Sequence, residues 1–244
     1  MRALAPAAVL EAWERGAARH PVDRALVLLA AAFPGASRAE LAALTLAERD
    51  AALLRLRRAT VGAELAAVTE CAACGERLEF SLDSGALLSA AEPDPGPWEA
   101  AAGGWRVVFR MPDSRDLAAA ATCASAGEAR RVLAERCVVE AAGPGDADSA
   151  HALPDEVIAA MAGRMAEVAP PEADLSLAME CPACGNAWEA VLDVAAFFWA
   201  EVQARARRLL REIDVLARAY HWSEAEILAL SPARRGAYIE LVQG

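Results

Sequence analysis

Residues 71–75 read Cys-Ala-Ala-Cys-Gly, and residues 181–185 read Cys-Pro-Ala-Cys-Gly. The two units stand in one register, shifted by 110 positions, and the likeness runs past the cysteines. Ala63, Leu65, Glu70, Ala73, Gly75, Glu79, Leu82 and Asp83 meet identical residues at Ala173, Leu175, Glu180, Ala183, Gly185, Glu189, Leu192 and Asp193. Such a repeat is one supersecondary unit used twice. Apolar Leu78, Phe80 and Leu82 alternate with polar Arg77, Glu79 and Ser81, which is the period of a strand. The unit therefore predicts a strand, a tight turn and a strand.

Two cysteines three apart can turn both sulfurs toward one point if the chain between them folds tightly. Glycine after the second cysteine permits positive φ, so the chain can leave the turn. Two such turns supply four thiolates, the tetrahedral set that a structural zinc takes at about 2.3 Å. Cys71, Cys74, Cys181 and Cys184 are the expected ligands of one zinc per chain, with no coordination position left open for catalysis. A dithiol redox pair usually sits at a helix start, where the thiolate is stabilised; here strand-like alternation follows each pair. A redox or iron-bearing site remains the alternative. Cys123 and Cys137 fall in separate Ala-rich helical stretches and read as buried free thiols.

The first sixty residues read as helices. Ala7 to Ala18 carries Val9, Leu10 and Trp13, and Val22 to Phe33 follows a helix-opening Pro21 and stops at Pro34-Gly35. Ser37 with Glu40, and Thr45 with Glu48, form capping boxes for a short helix and for one running to about Ala59. Between the repeats, residues 89–104 are rich in Pro, Gly and Ala and read as a loop. Trp105 to Arg110 reads as a strand, and Asp113 with Asp116 cap a helix from about Arg115. A second helix is expected over about Gly127 to Ala141. An acidic connector, Gly143 to Ala150, follows, and then a helix opened by Pro154 that ends near Pro170-Pro171.

From Val194 to Tyr220, Phe198, Val202, Leu209, Ile213, Leu216 and Tyr220 mark one buried stripe. A helix of that length spans about 40 Å. Ser223 and Glu226 form another capping box, Trp222 can staple onto Ile227, and Ser231-Pro232 opens a last short helix. The expected class is α+β, mostly α-helical. It comprises an N-terminal helical region (1–60), a split zinc-ribbon-like β module (61–193) and a C-terminal helical region (194–244). The module's two CxxCG hairpins, 61–83 and 172–193, enclose an inserted strand and helix region, 84–171.

Composition removes several classes. The 244 residues include 24 basic ones, all arginine, against 35 acidic, a net charge of -11. At 56% hydrophobic the chain is too apolar for disorder. The longest uncharged apolar run, Ala25 to Phe33, is too short to cross a membrane, which takes about 20 residues. A cytoplasmic protein is expected. The acidic balance argues against a general phosphate-binding surface. No GxSxG, P-loop or GxGxxG is present, and His20, His151 and His221 sit in no catalytic spacing, so no enzyme is expected. Residues 194–244 differ from the rest, with seven arginines against six acidic residues. Arg205, Arg208 and Arg211 form a candidate docking face, with Trp199 and Trp222 as aromatic anchors. The plainer readings are a solvated helix face and aromatic core packing.

Four segments in this order resemble a known family. They are LRRATVGAELAAVTECAACGERLEFSLD at 56–83, FRMPDSRDL at 109–117, CPACG at 181–185, and FFWAEVQARARRLLREIDVLARAYHWSEAEILALSPARRGAYIELV at 197–242. The resemblance is to the baseplate hub assembly chaperone family of T-even-like phages and related contractile injection systems, over about 50–244. It implies an assembly role: the protein would bind a baseplate, hub or tail protein and mask its association surface until its neighbours arrive. It also implies that the four repeat cysteines hold the zinc and that the long C-terminal helix, with Trp222 to Val242, presents the partner surface. From other classes, a zinc-ribbon nucleic-acid-binding or transcription-associated protein is the competing reading. Its net charge, its lack of lysine and its 5% aromatic content weigh against it. A thiol-disulfide enzyme comes third.

Overall fold

The computed structural model describes residues 1–88, 96–144, 153–170 and 175–243. His151, Ala173 of the repeat and most of the acidic connector lie outside them. Helices α1 (Pro6–Gly16) and α2 (Pro21–Ala32) each open on a proline, and His20 Nδ1 accepts the Val22 N–H at 3.4 Å. Helices α3 (Arg38–Ala42) and α4 (Leu46–Thr60) open on the Ser37–Glu40 and Thr45–Glu48 capping boxes, both fully formed. Each box satisfies two N–H groups that a helix start leaves unpaired.

Strands β1 (Glu64–Glu70) and β2 (Arg77–Asp83) pair antiparallel, with Leu65 opposite Leu82, Ala67 opposite Phe80 and Glu70 opposite Arg77. The inserted region then builds its own three-stranded sheet. Strands β3 (Trp98–Ala102) and β4 (Trp105–Phe109) are joined at Gly103-Gly104, with φ of 55° and 77°. Two consecutive positive φ values are what a tight two-residue hairpin turn demands, and only glycine adopts them cheaply. The expected loop over 89–104 is thus corrected: from Trp98 it is a strand, with Trp98 and Ala100 buried. The Ala-rich sequence carried little β signal of its own, and pairing with β4 supplies the order.

Helix α5 (Ser114–Ala120) starts on an Asp113–Asp116 capping box. Asp116 is fully buried and takes Arg110 and Arg136 at 2.7 and 3.0 Å. Helix α6 (Ala126–Cys137) ends earlier than the expected Ala141, because Val138 to Ala142 form strand β5 beside β4. Val138 pairs with Phe109 there, and a bulge leaves Val139 without a partner before Glu140 pairs with Val108. Helix α7 (Asp155–Val168) packs Val157, Ile158 and Met161 against Trp98, Val107 and Phe109, a core separate from that of the N-terminal helices. The insertion meets those helices where Leu46 N–H donates to the Pro112 carbonyl at 3.0 Å and Thr45 bridges Asp113.

The second hairpin, β6 (Ser176–Glu180) and β7 (Ala187–Val191), leads directly into α8 (Val194–Tyr220), which Asp193 caps through the Ala196 N–H at 2.9 Å. The apolar stripe of α8, including Phe198, Val202 and Leu209, packs with α1, α2 and α4. The left-handed His221, φ 58°, ends α8. Helices α9 (Glu224–Ala229) and α10 (Pro232–Gln243) fold back, held by buried Arg235 on Glu212 and on the Leu230 carbonyl at 2.9 and 2.6 Å.

Trp199 is not a surface anchor. It is 5% exposed in the main core, and a Cβ on Gly16 would fall 2.5 Å from its ring. The Arg24 guanidinium lies over the ring at 5.1 Å. Glycine at position 16 lets α1 approach the indole face. Trp199→Ala is expected to lower stability by about 3–5 kcal/mol, as for other large buried side chains, measured by urea denaturation.

Candidate metal centre

Each CxxCG unit folds into the same turn. In the first, Gly75 N–H donates to the Cys71 carbonyl at 2.8 Å and Cys71 N–H to the Glu76 carbonyl at 2.9 Å. In the second, Gly185 donates to Cys181 and Cys181 to Asn186 at the same two distances. Gly75 and Gly185 have φ of 75° and 71°, in the left-handed region where a Cβ is penalised. The sequence repeat is therefore a repeat of backbone conformation, and the two turns present their cysteines in like fashion.

The two turns meet. All four sulfurs lie within 4.8 Å of one another, with Cys71 to Cys184 at 3.7 Å and Cys74 to Cys181 at 3.6 Å. A tetrahedron with metal–sulfur bonds of about 2.3 Å has edges of about 3.8 Å, so the donor set fits a tetrahedral thiophilic ion. Each turn places one cysteine inside, Cys71 and Cys181, and one outside, Cys74 and Cys184. Asn186 Nδ2 donates across the cluster to Cys71 Sγ at 3.8 Å. Its counterpart in the first repeat, Glu76, has no side-chain N–H to offer. An amide aimed at a coordinating sulfur favours the thiolate and fixes its orientation.

The proton affinities of the thiols show how crowded the cluster is. Burial pushes Cys71 up, but the backbone N–H groups of Cys74 and Ala73, with hydrogen bonds from Cys184 and Cys74, outweigh it and hold this thiol at about 6. For Cys74, the backbone N–H of Glu76 works downward. The neighbouring thiols of Cys184, Cys181 and Cys71, together with burial, prevail and push it up to about 12. Cys184 is likewise raised: the Asn186 N–H and Cys74 lower it, but burial, Cys181 and Cys71 outweigh them. One thiolate forms easily and its neighbours then resist ionising, since like charges this close oppose one another. A divalent cation at the centre would remove that conflict.

The first hairpin is braced on the helical body by a buried ion pair. Arg57, with its side chain 3% exposed, forks onto Glu201 of α8 at 2.9 and 2.7 Å and donates to the carbonyls of Gly62 and Glu64 at 2.9 and 2.7 Å. Four charge-assisted bonds thus join α4, α8 and the entry to β1. The sequence reading missed Arg57, Glu201 and Asn186 as contributors. An arginine and a glutamate on the apolar sides of two helices are the available signal; nothing local marks Asn186.

With this geometry in view, comparison with known families is decisive. The family model described as T4 bacteriophage base plate protein matches residues 26–199, well over half of the chain. The chain belongs to this baseplate family. No curated protein and no solved structure gives a match. The baseplate match takes in both CxxCG turns, the insertion and the helices from Leu26 onward, and it ends at Trp199. Most of α8, with α9 and α10, lies beyond it, although the C-terminal segment carried much of the resemblance seen in the sequence.

The other expected site residues are scattered. Arg205 is half-buried and donates to the Thr60 carbonyl at 3.0 Å, closing the end of α4. Arg208 is exposed and pairs with Glu212 at 2.8 Å, and Arg211 is exposed. Trp222 stacks on Tyr220 at 4.7 Å and meets Tyr238 edge-on at 5.0 Å, a half-buried aromatic group at the far end of α8. Cys137 is buried, and burial pushes its thiol up to about 12. Cys123 corrects the expectation of a buried helical thiol: it follows α5 in a turn and is only half-buried.

Two outcomes follow. Metal-loaded protein should lose its ion, and with it thermal stability, as pH falls from about 7 to about 4, because protons compete for thiolate ligands; metal analysis after desalting at each pH checks this. Arg57→Ala should destabilise by about 3–5 kcal/mol, since it leaves Glu201 and two carbonyls unpaired in a largely buried site, read by chemical denaturation.

Proposed function

We propose that this baseplate-family protein is a non-enzymatic assembly factor for the baseplate or tail hub of a contractile particle. It carries one structural zinc on Cys71, Cys74, Cys181 and Cys184, in a zinc-ribbon-like clasp. The observation that carries this reading is the convergence of the two CxxCG turns within the residues that match the family. Four thiolates fill a tetrahedral ion and leave no position for substrate, so the ion would hold the fold rather than perform chemistry. Its binding energy would be folding energy, offsetting the closure of a chain loop of more than a hundred residues. The function is then exercised by binding: the protein would cover the association surface of a baseplate, hub or tail partner until its neighbours arrive.

The nucleic-acid reading gains little support. Of the exposed arginines of α8, Arg208 and Arg218 are already paired with Glu212 and Asp214, and the hairpins around the clasp are acidic. Protein purified without chelator is expected to hold close to one zinc per chain by elemental analysis, and Cys74→Ser should lower stability by several kcal/mol. Expressed from its native operon, the chain should co-purify with a baseplate or tail protein. Recovery with nucleic acid alone, in a salt-sensitive complex, would overturn the assembly role.

A further inference from the structure

Between the two hairpins lies an open groove of about 320 Å³ that the sulfur cluster does not use. Ala67 and Phe80 line it from the first hairpin, Leu177, Ala190 and Val191 from the second, and Phe197 of α8 adjoins them. Thr69 and Asp193 are its polar lining residues, and the Asp193 carboxylate is engaged in capping α8. A small-molecule site sets several polar groups toward its ligand; this lining does not. Val68 and Val191, also in the lining, are 50% and 76% exposed. β-branched side chains left this open on strands suit contact with another polypeptide.

The backbone edges of the hairpins adjoin this groove. Each hairpin is a two-stranded sheet, and among the described residues no third strand joins either one. Isolated two-stranded sheets are marginal, and natural edges are commonly protected by lysine, proline or a bulge. Strands β1 (ELAAVTE) and β7 (AWEAV) contain no proline, carry acidic side chains as their only charges, and pair without a register shift. Charge then narrows the occupant. Residues 61–88 and 175–193 hold eight acidic residues and one arginine, Arg77. Four thiolates around a divalent ion would make the same surface about two charges more negative.

We infer that this groove is the docking site for an extended segment of a partner protein in which apolar and basic residues alternate. The segment pairs its backbone with a free hairpin edge, seats apolar side chains beside Phe80 and Leu177, and lays basic side chains on the acidic surround. That the partner is a baseplate component rests on the assembly role; the sequence chemistry of the segment rests on the groove alone.

The test uses full-length, zinc-loaded protein and fluorescence anisotropy with three labelled eight-residue peptides. One alternates valine and arginine, one alternates valine and glutamate, and one has four valines followed by four arginines. The alternating valine–arginine peptide should bind best and weaken with salt. Val68→Lys and Val191→Lys should each weaken it at least about tenfold, equivalent to about 1.4 kcal/mol. Both positions are exposed, so the variants should melt as the parent does, and Glu14→Lys on the exposed side of α1 should bind normally. Equal binding of the glutamate or block peptide, no binding, or indifference to both valine variants overturns the groove. Self-association of the chain that Val191→Lys abolishes would make a second copy the occupant and overturn a heterologous segment. In parallel, purified baseplate proteins are mixed with parent and variants. A partner that binds all of them equally sinks the groove and leaves the assembly role standing. Peptide binding as expected, with no baseplate protein bound, does the reverse.

Discussion

Four sulfur atoms drawn within 4.8 Å of one another set the constraint on which the rest of this fold depends. Such a cluster resists full ionisation, as the opposed proton affinities of Cys71 and Cys74 show. Yet the backbone has been prepared for thiolates at every point. Two left-handed glycines release the turns, backbone N–H groups point at the sulfurs, and Asn186 reaches across from one turn to the other. A site so arranged could hold a metal ion. Its consequence is architectural: two short hairpins, far apart in the chain and neither stable alone, are fixed against one another.

The clasp would be useless if it floated free of the helices. Arg57 and Glu201 prevent that at the first hairpin, and Asp193 does so at the second by turning β7 directly into α8. Leu175 and Val194, flanking the second hairpin, enter the same core as α1, α2 and α4. The insertion has a core cluster of its own, and it is tied back at Pro112 and Asp113. The clasp is therefore joined to helices that are already closely packed, with Trp199 lying directly against Gly16.

For a member of a baseplate family, the distribution of surface chemistry is the informative feature. Acidic residues gather on the hairpins, while exposed arginines gather along α8. A baseplate protein with two surfaces of different charge can discriminate between neighbours before apolar contacts form. The family match covers residues 26–199. The aromatic group of Tyr220, Trp222 and Tyr238 stands outside it, at the end of the helix farthest from the clasp.

Local signals in the sequence translated directly into local structure. The capping boxes at Ser37, Thr45 and Ser223 form as read, and α8 runs from Val194 to Tyr220, the limits its apolar stripe predicts. The repeated CxxCG units also declare two like turns, because glycine conformation and cysteine spacing act within five residues. Tertiary structure decided what depends on distant partners. It made strands of Trp98–Ala102 and Val138–Ala142, whose order comes from pairing with β4. It buried Trp199 and tied Arg205 to the end of α4, although both sit on a helix that could have shown either face. Above all it brought two cysteine pairs into one cluster, since no short-range force reaches across that stretch of chain and the packed helical core carries the hairpins to one place.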